Sequence, residues 1–171
     1  LFSSEGGINS PLKKYSAKIY SIMENIKKSK GIILIYSNYV AGGCIPLALA
    51  LEELGFQRYG GAGKSLFEEQ PKQPVGNYVM ITGDKRLSPS PKRDLEACTD
   101  ATNINGEKVK VIIISRAGSE GLDFKNIRQV HILEPWFNLN RTDQIVGRGV
   151  RNKSHCALPF NERTVQVFLY G

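Results

Sequence analysis

The sequence predicts an α/β domain of three layers, with helices on both faces of a mainly parallel sheet. Three observations carry that prediction. Short all-apolar, β-branched runs such as GIILIYSN (31–38) and KVKVIIIS (108–115) have the pattern of strands buried on both faces. Segments with apolar residues at three-and-four spacing stand between such runs, and strands alternating with helices build a parallel sheet. At 171 residues and 41% hydrophobic content, the chain can bury roughly two-thirds of its unfolded surface in one core.

Taken in order, Ser10 and Pro11 read as the cap and first residue of a helix. Leu12, Tyr15, Ile19, Ile22, Met23 and Ile26 repeat along one face until Lys30 and Gly31 stop it. Residues 1–30 are therefore expected as an N-terminal helix packing on a domain that occupies 31–171. After the strand at 31–38, IPLALALEELG (45–55) reads as a helix ending at Gly55, FQRY (56–59) as a short strand and NYVMITG (77–83) as a firmer one. A helix over 88–103 starts at Ser90 and Pro91. The strand at 108–115 is the clearest in the chain, and RQVHILE (128–134) follows it. NLNRTDQIVGRGVR (138–151) is helical and RTVQVFLY (163–170) alternates as a closing strand. Ligands of such sheets gather at the carboxyl ends of strands, which directs attention to the turns after 37, 83, 115 and 134.

Lys and Arg total 23 against 16 Asp and Glu, a net charge of +7 spread along the chain rather than held in a tail. That distribution favours a polyanionic partner, because cations set over a folded face neutralise phosphates. Three cysteines, Cys44, Cys98 and Cys156, stand far apart with no C-x-x-C pair. They suggest neither a disulfide framework nor a zinc site, and a reducing, intracellular setting is expected. The longest apolar run, Gly31 to Tyr36, is too short to span a bilayer, so no membrane partner is expected. Asn152-Lys153-Ser154 matches a glycosylation sequon by chance, and the first residue is Leu, which suggests a piece of something longer.

GGAGKS (60–65) ends like a phosphate-binding P-loop. The spacing does not support one: the motif needs glycine five residues before Gly63, and Arg58 stands there. Pro71 and Pro74 leave only LFEEQ (66–70) for the helix whose N-terminus would face the phosphate. A mobile surface loop over 60–76 is expected instead, with Lys64 and Lys72 available to nucleic acid.

Two other stretches carry the chemistry. In QIVGRGVR (144–151), Gln144, Arg148 and Arg151 fall at i, i+4 and i+7, on one face of a helix. Gly147 and Gly149 would each cost that helix about 1 kcal/mol, so something other than helix stability selects them. Two guanidinium forks beside glycines suit a phosphate group. SRAGSEGLDF (115–124) leaves the strongest strand and turns on Gly118 and Gly121. Its hydroxyls and exposed backbone N–H groups suit a sugar-phosphate backbone, and Asp123 suits a ribose hydroxyl or an arginine.

Together these stretches resemble the C-terminal RecA-like half of a superfamily 2 helicase. GIILIYSN is similar to motif IV, SRAGSEGLDF to motif V and QIVGRGVR to motif VI, Q-x-x-G-R-x-x-R, over residues 28 to 170. HILEPWFNLNRTDQIVGRGVRNKSH (131–155) further resembles helicases and nucleic-acid-dependent ATPases of large cytoplasmic DNA viruses, of the poxvirus and African swine fever virus kind. The resemblance implies that Arg148 and Arg151 reach the γ-phosphate of ATP held by another RecA-like half, with Gln144 orienting them or the attacking water. It implies that Asp123, beside Gly121, contacts the ribose. Ser37 and Asn38 would touch the nucleic-acid backbone, DNA ahead of RNA, Ser115, Arg116 and Ser119 would face nucleic acid or couple it to the ATP cleft, and Trp136 and Phe137 would brace the motif VI helix or, as the second choice, stack on a base. The chain's own N-terminal RecA-like domain, absent here, would bind ATP and Mg²⁺, since the sequence holds no D-E-x-H or D-E-x-D. Alone, this domain would be inactive as an ATPase. A viral origin would place it in host cytoplasm and virion, with a part in transcription. The rival expectations are a non-catalytic basic nucleic-acid-binding module and a small P-loop enzyme built on Gly63-Lys64-Ser65.

Overall fold

The computed structural model describes residues 11–60, 65–67, 73–118, 121–135 and 139–171. Pro11 opens α1 (Pro11–Tyr15), and α2 (Ala17–Lys28) follows after a break at Ser16. The sequence reads as one helix across that point. Ser16 breaks it because its dihedrals are extended (φ −153°, ψ 95°) and its Oγ accepts the Ile19 N–H at 3.3 Å, a cap in place of another helical turn. The break rotates Tyr15 off the apolar face, leaving it 66% exposed, while Ile19, Ile22, Met23 and Ile26 are buried.

The strands are β1 (Ile32–Ser37), β2 (Phe56–Arg58), β3 (Gly76–Ile81), β4 (Val111–Ser115), β5 (Ile127–Ile132) and β6 (Gln166–Leu169). They form one sheet in the order β2-β3-β4-β1-β5-β6, every neighbouring pair parallel. A parallel sheet needs both faces covered. On one face Ile33, Ile35, Met80 and Ile113 pack with α2 and with Leu47 and Leu51 of α3 (Ile45–Glu53). On the other, Ile32, Leu34, Ile112, Ile114 and Val130 pack with Ala97 and Cys98 of α4 (Pro91–Thr99) and Ile145 of α5 (Leu139–Gly149). Each fully buried side chain of this size contributes about 1.5–3 kcal/mol.

Between β1 and β5 the register jumps from Ile32↔Ile127 to Ile33↔Gln129, which makes Arg128 a bulge residue. Gly31 is the companion of that bulge: a Cβ on it would lie 2.4 Å from Arg128 Cγ. Helix α4 is shorter than the span 88–103. Past Thr99 the buried Asn103 closes a turn, its Nδ2 donating to the Cys98 and Val109 carbonyls and its Oδ1 accepting the Lys108 and Val109 N–H groups.

Residues 61–64, with Gly61, Gly63 and Lys64 of GGAGKS, and Lys72 lie outside the described residues, and Gly60 ends the described part with φ +95°. Ser65 through Phe67 depart from the expected mobile loop. Ser65 Oγ donates to the carboxylate of buried Glu52 at 2.7 Å, and the Leu66 and Phe67 N–H groups donate to the same carboxylate at 2.9–3.0 Å. A carboxylate that gathers this many donors fixes the segment against α3.

Candidate functional site

The candidate residues fall into two groups at opposite ends of the sheet. Ser37 and Ser115 are register partners at the carboxyl ends of β1 and β4. Both hydroxyls are buried and engaged. Ser115 Oγ donates to the Thr82 carbonyl at 2.8 Å and accepts the Gly118 N–H at 3.2 Å. Gly118 has no room for a side chain, since a Cβ would lie 1.9 Å from the Ile81 carbonyl oxygen. Arg116 is exposed beside this turn, and Ser119 lies outside the described residues, as do Trp136 and Phe137.

Ser37 meets a residue that sequence reasoning missed. Glu134, two residues past β5, accepts from Ser37 Oγ at 3.0 and 3.1 Å and from the Asn38 N–H at 2.9 Å. Its carbonyl accepts from Asn38 Nδ2 at 3.2 Å, and Tyr36 Oη donates to Asn38 Oδ1 at 2.9 Å. One carboxylate thus ties the turn after β1 to the turn after β5. Gly43, in the π-helical turn Val40–Cys44 that follows, completes the arrangement, because a Cβ there would sit 1.9 Å from Ser37 Oγ and 3.3 Å from Glu134 Oε1. Burial pushes the Tyr36 phenol up, while the guanidinium groups of Arg141 and Arg116 pull it back. The only signal available in sequence is a carboxylate just beyond a buried strand, before Pro135.

The second group lies at the amino end of β5. Helix α5 runs back along the sheet, so its last turn reaches Ile127, whose side chain stands 3.2 Å from where a Cβ on Gly149 would be. The six residues of β5 separate the two groups by roughly 20 Å. Carboxyl strand ends therefore locate only half of the candidate residues. The Phe124 N–H donates to the Arg148 carbonyl at 3.0 Å, Arg148 Nη1 donates to the Leu122 carbonyl at 3.2 Å, and buried Phe124 plugs the core beneath them. Arg151 lies two residues beyond the end of α5, not on it as the i, i+4, i+7 spacing implies. It returns to the same neighbourhood by folding back: its Nε donates to the Gly147 carbonyl at 3.1 Å, satisfying one orphan acceptor of the helix end. Its guanidinium also faces Asp123, Nε to Oδ1 at 3.4 Å and Nη1 to Oδ2 at 3.5 Å.

Both partners of that ion pair are about half exposed, and such pairs contribute only about 0–1 kcal/mol. An incoming anion or hydroxyl can therefore separate Arg151 from Asp123 at little cost. Gly121 has φ +70° and nothing within 4 Å of its missing Cβ, so this side of the turn is open. Gln144 is exposed on α5, one turn before Arg148. The grouping presents guanidinium donors at a solvent-facing edge, a fit for phosphate oxygens. Among the described residues, no three His, Cys, Asp or Glu side chains gather in a way that would hold a metal ion, and no helix is long and apolar enough to cross a membrane.

Comparison with known proteins adds kinship to this geometry. The family model described as the helicase conserved C-terminal domain matches residues 17–153. A termination factor NPH-I homolog of African swine fever virus is 37% identical over 181 residues, covering 91% of this chain and 26% of that protein. A protein of Acanthamoeba polyphaga mimivirus named as a candidate ATP-dependent RNA helicase is 32% identical, covering 93% of this chain and 26% of its own length. The chain thus spans about a quarter of the length of these relatives. Among solved structures, the C-terminal part of the Fun30 ATPase domain superposes with a TM-score of 0.64 at 14% identity, over 96% of this chain and 43% of that one. The second domain of the DEAD-box helicase Mss116p, solved bound to an RNA duplex, gives 0.52 at 16% identity, over 90% and 48%. Both establish the RecA-like fold.

Proposed function

From the premise that this chain belongs to the helicase conserved C-terminal domain family, we propose that it is the C-terminal half of an ATP-dependent nucleic-acid helicase or translocase serving viral transcription. Its work would be intracellular, in host cytoplasm or virion. The observation that carries the reading is the convergence of Asp123, Arg148 and Arg151 on one exposed edge, although the pair Asp123 and Arg151 is separated by 28 residues.

In this reading ATP and Mg²⁺ are held mainly by a separate ATP-binding half, and this chain completes the cleft. Arg148 and Arg151 approach the γ-phosphate and stabilise the charge that spreads over its oxygens as the phosphoryl group transfers. Gln144, on the exposed side of α5, positions a guanidinium or the attacking water. Asp123 exchanges Arg151 for a ribose hydroxyl when the cleft closes, an exchange supported by the length and exposure of the pair. At the other end of the sheet Asn38 and Arg116 contact the nucleic-acid backbone, Ser119 adds to that surface, and the buried hydroxyls of Ser37 and Ser115 hold the two turns in place. Closing and opening of the cleft would then shift this surface along the strand.

The test is Arg148→Ala and Arg151→Ala in a polypeptide that includes the ATP-binding half. Nucleic-acid-stimulated turnover falls by roughly a thousandfold or more in each, while binding of single-stranded DNA or RNA is retained. Undiminished turnover in both variants would remove the proposal, and the same assay with DNA against RNA identifies the track.

A further inference from the structure

Beyond the ATP cleft, the turn that follows α5 forms an open cavity of about 260 Å³ lined by Arg151, Lys153, His155, Cys156 and Arg163, together with Asn152 and Ser154. Among the described residues no carboxylate lines it. We propose that this cavity is a second phosphate-binding site, distinct from the γ-phosphate position and sharing only Arg151 with it. The chemical class of ligand is a phosphate group, either inorganic phosphate or a phosphodiester of the nucleic-acid backbone.

The turn is built, not draped. The Asn126 N–H donates to the Ser154 carbonyl at 3.0 Å, and the Ser154 N–H donates to the Arg151 carbonyl at 3.0 Å. The Arg151 N–H donates to Ser154 Oγ at 3.2 Å. His155 Nε2 stands 2.6 Å from the Ile127 carbonyl, which can only accept, so Nε2 carries the proton. Nδ1 is then the acceptor for Ser154 Oγ at 2.7 Å. Every polar atom of that relay has a role, and the imidazole is locked in one orientation. Arg163 is held from the other side by donating to the Leu158 and Cys156 carbonyls at 2.9 and 3.2 Å. Its remaining guanidinium edge and the Lys153 ammonium supply positive charge.

Backbone conformation separates this cavity from an ordinary basic surface. Among the described residues the non-glycine positions with positive φ are Asn126 (57°) and Lys153 (63°); Lys153 lies in this turn, and Asn126, just before β5, is bonded to it through the Ser154 carbonyl. A lysine is held in a conformation that L-residues seldom adopt, which sets its side chain at the cavity. Among the described residues Lys153 also has no ion pair, whereas Arg128 and Arg151 each have one. A lysine with no carboxylate, beside two guanidinium groups on a turn that the engaged His155 ring holds in place, is the donor set a tetrahedral oxyanion satisfies.

Cys156 gives a readout at the site itself. It is the exposed cysteine, while Cys44 and Cys98 are buried, the Cys44 thiol pushed up to about 12 by burial and by Glu134 nearby. The rate of Cys156 alkylation by iodoacetamide is measured by peptide mass, with ionic strength held constant by chloride. One arm adds inorganic phosphate and the other a single-stranded oligonucleotide. At ten times its Kd the bound ligand slows alkylation by about tenfold through mass action. In Lys153→Asn, a substitution that keeps a residue tolerant of positive φ, either ligand is needed at about tenfold higher concentration. Protection by phosphate identifies a free-anion site, and protection by oligonucleotide alone identifies a backbone site; either supports the proposal. No protection by either ligand, or equal protection in Lys153→Asn, overturns it. No turnover enters this measurement, so its failure leaves the roles of Arg148 and Arg151 standing.

Discussion

Gly147 and Gly149 look alike in the sequence, two glycines bracketing Arg148, yet their surroundings give them different reasons to exist. A Cβ at Gly149 would meet the Ile127 side chain at 3.2 Å, so this glycine lets the last turn of α5 close onto β5. Gly147 has nothing within 4 Å. Within this chain alone it costs helix stability with no return. Gly147→Ala should therefore stabilise the isolated chain by about 1 kcal/mol, raising Tm by about 2–4 °C. If the open space is where the ATP-binding half approaches, the same substitution lowers stimulated turnover when that half is present. A higher Tm with full turnover would separate Gly147 from the cleft. Gly118 is the contrast: its Cβ would lie 1.9 Å from a backbone oxygen. Gly118→Ala must displace the end of β3, and thermal unfolding should show a loss of several degrees.

At the scale of elements, the turns after β1 and β5 behave as one unit because Glu134 accepts from both Ser37 and Asn38. Removing the carboxylate leaves the buried Ser37 hydroxyl the Tyr39 carbonyl at 3.0 Å as an alternative, but the Asn38 N–H loses its acceptor. Glu134→Ala is expected to cost about 2 kcal/mol and to raise amide exchange at Asn38 well above that of β1. Unchanged protection at Asn38 would show that the two turns are held by something else. The strands themselves are legible in the sequence, since β-branched runs such as Ile32–Ser37 and Val111–Ser115 repeat a pattern over several residues. Glu134 is not, because a single carboxylate carries no period. The same limit explains the break at Ser16, where one local hydrogen bond outweighs a helical spacing that runs through it.

For the whole molecule, chain order and spacing carry motif VI, but not its position. The run QIVGRGVR is visible in sequence, whereas its place at the amino end of β5, against Asp123 and about a strand's length from Ser37, follows from α5 running antiparallel to the sheet. His131 is hidden in a different way, since it reads as one more residue of a strand. It is fully buried in β5, with Nδ1 2.8 Å from Tyr170 Oη, Nε2 3.1 Å from Gln129 Oε1 and its ring stacked 4.6 Å from Phe168. It thereby fastens the edge strand β6 to the body of the sheet. Burial lowers its pKa from 6.5 to about 4, so the folded state holds the ring neutral. Between those values the unfolded chain binds a proton that the folded chain refuses. The contribution to stability is therefore complete above pH 6.5 and is lost as the pH falls toward 4. From pH 7 to pH 5 that linkage amounts to about 2 kcal/mol, in a range where ordinary carboxylates remain ionised. Urea unfolding at the two pH values should show this loss in the wild type. A His131→Gln variant, less stable at pH 7 but unable to titrate, should show a smaller dependence over the same interval. An equal slope in both proteins would place the acid sensitivity elsewhere than His131.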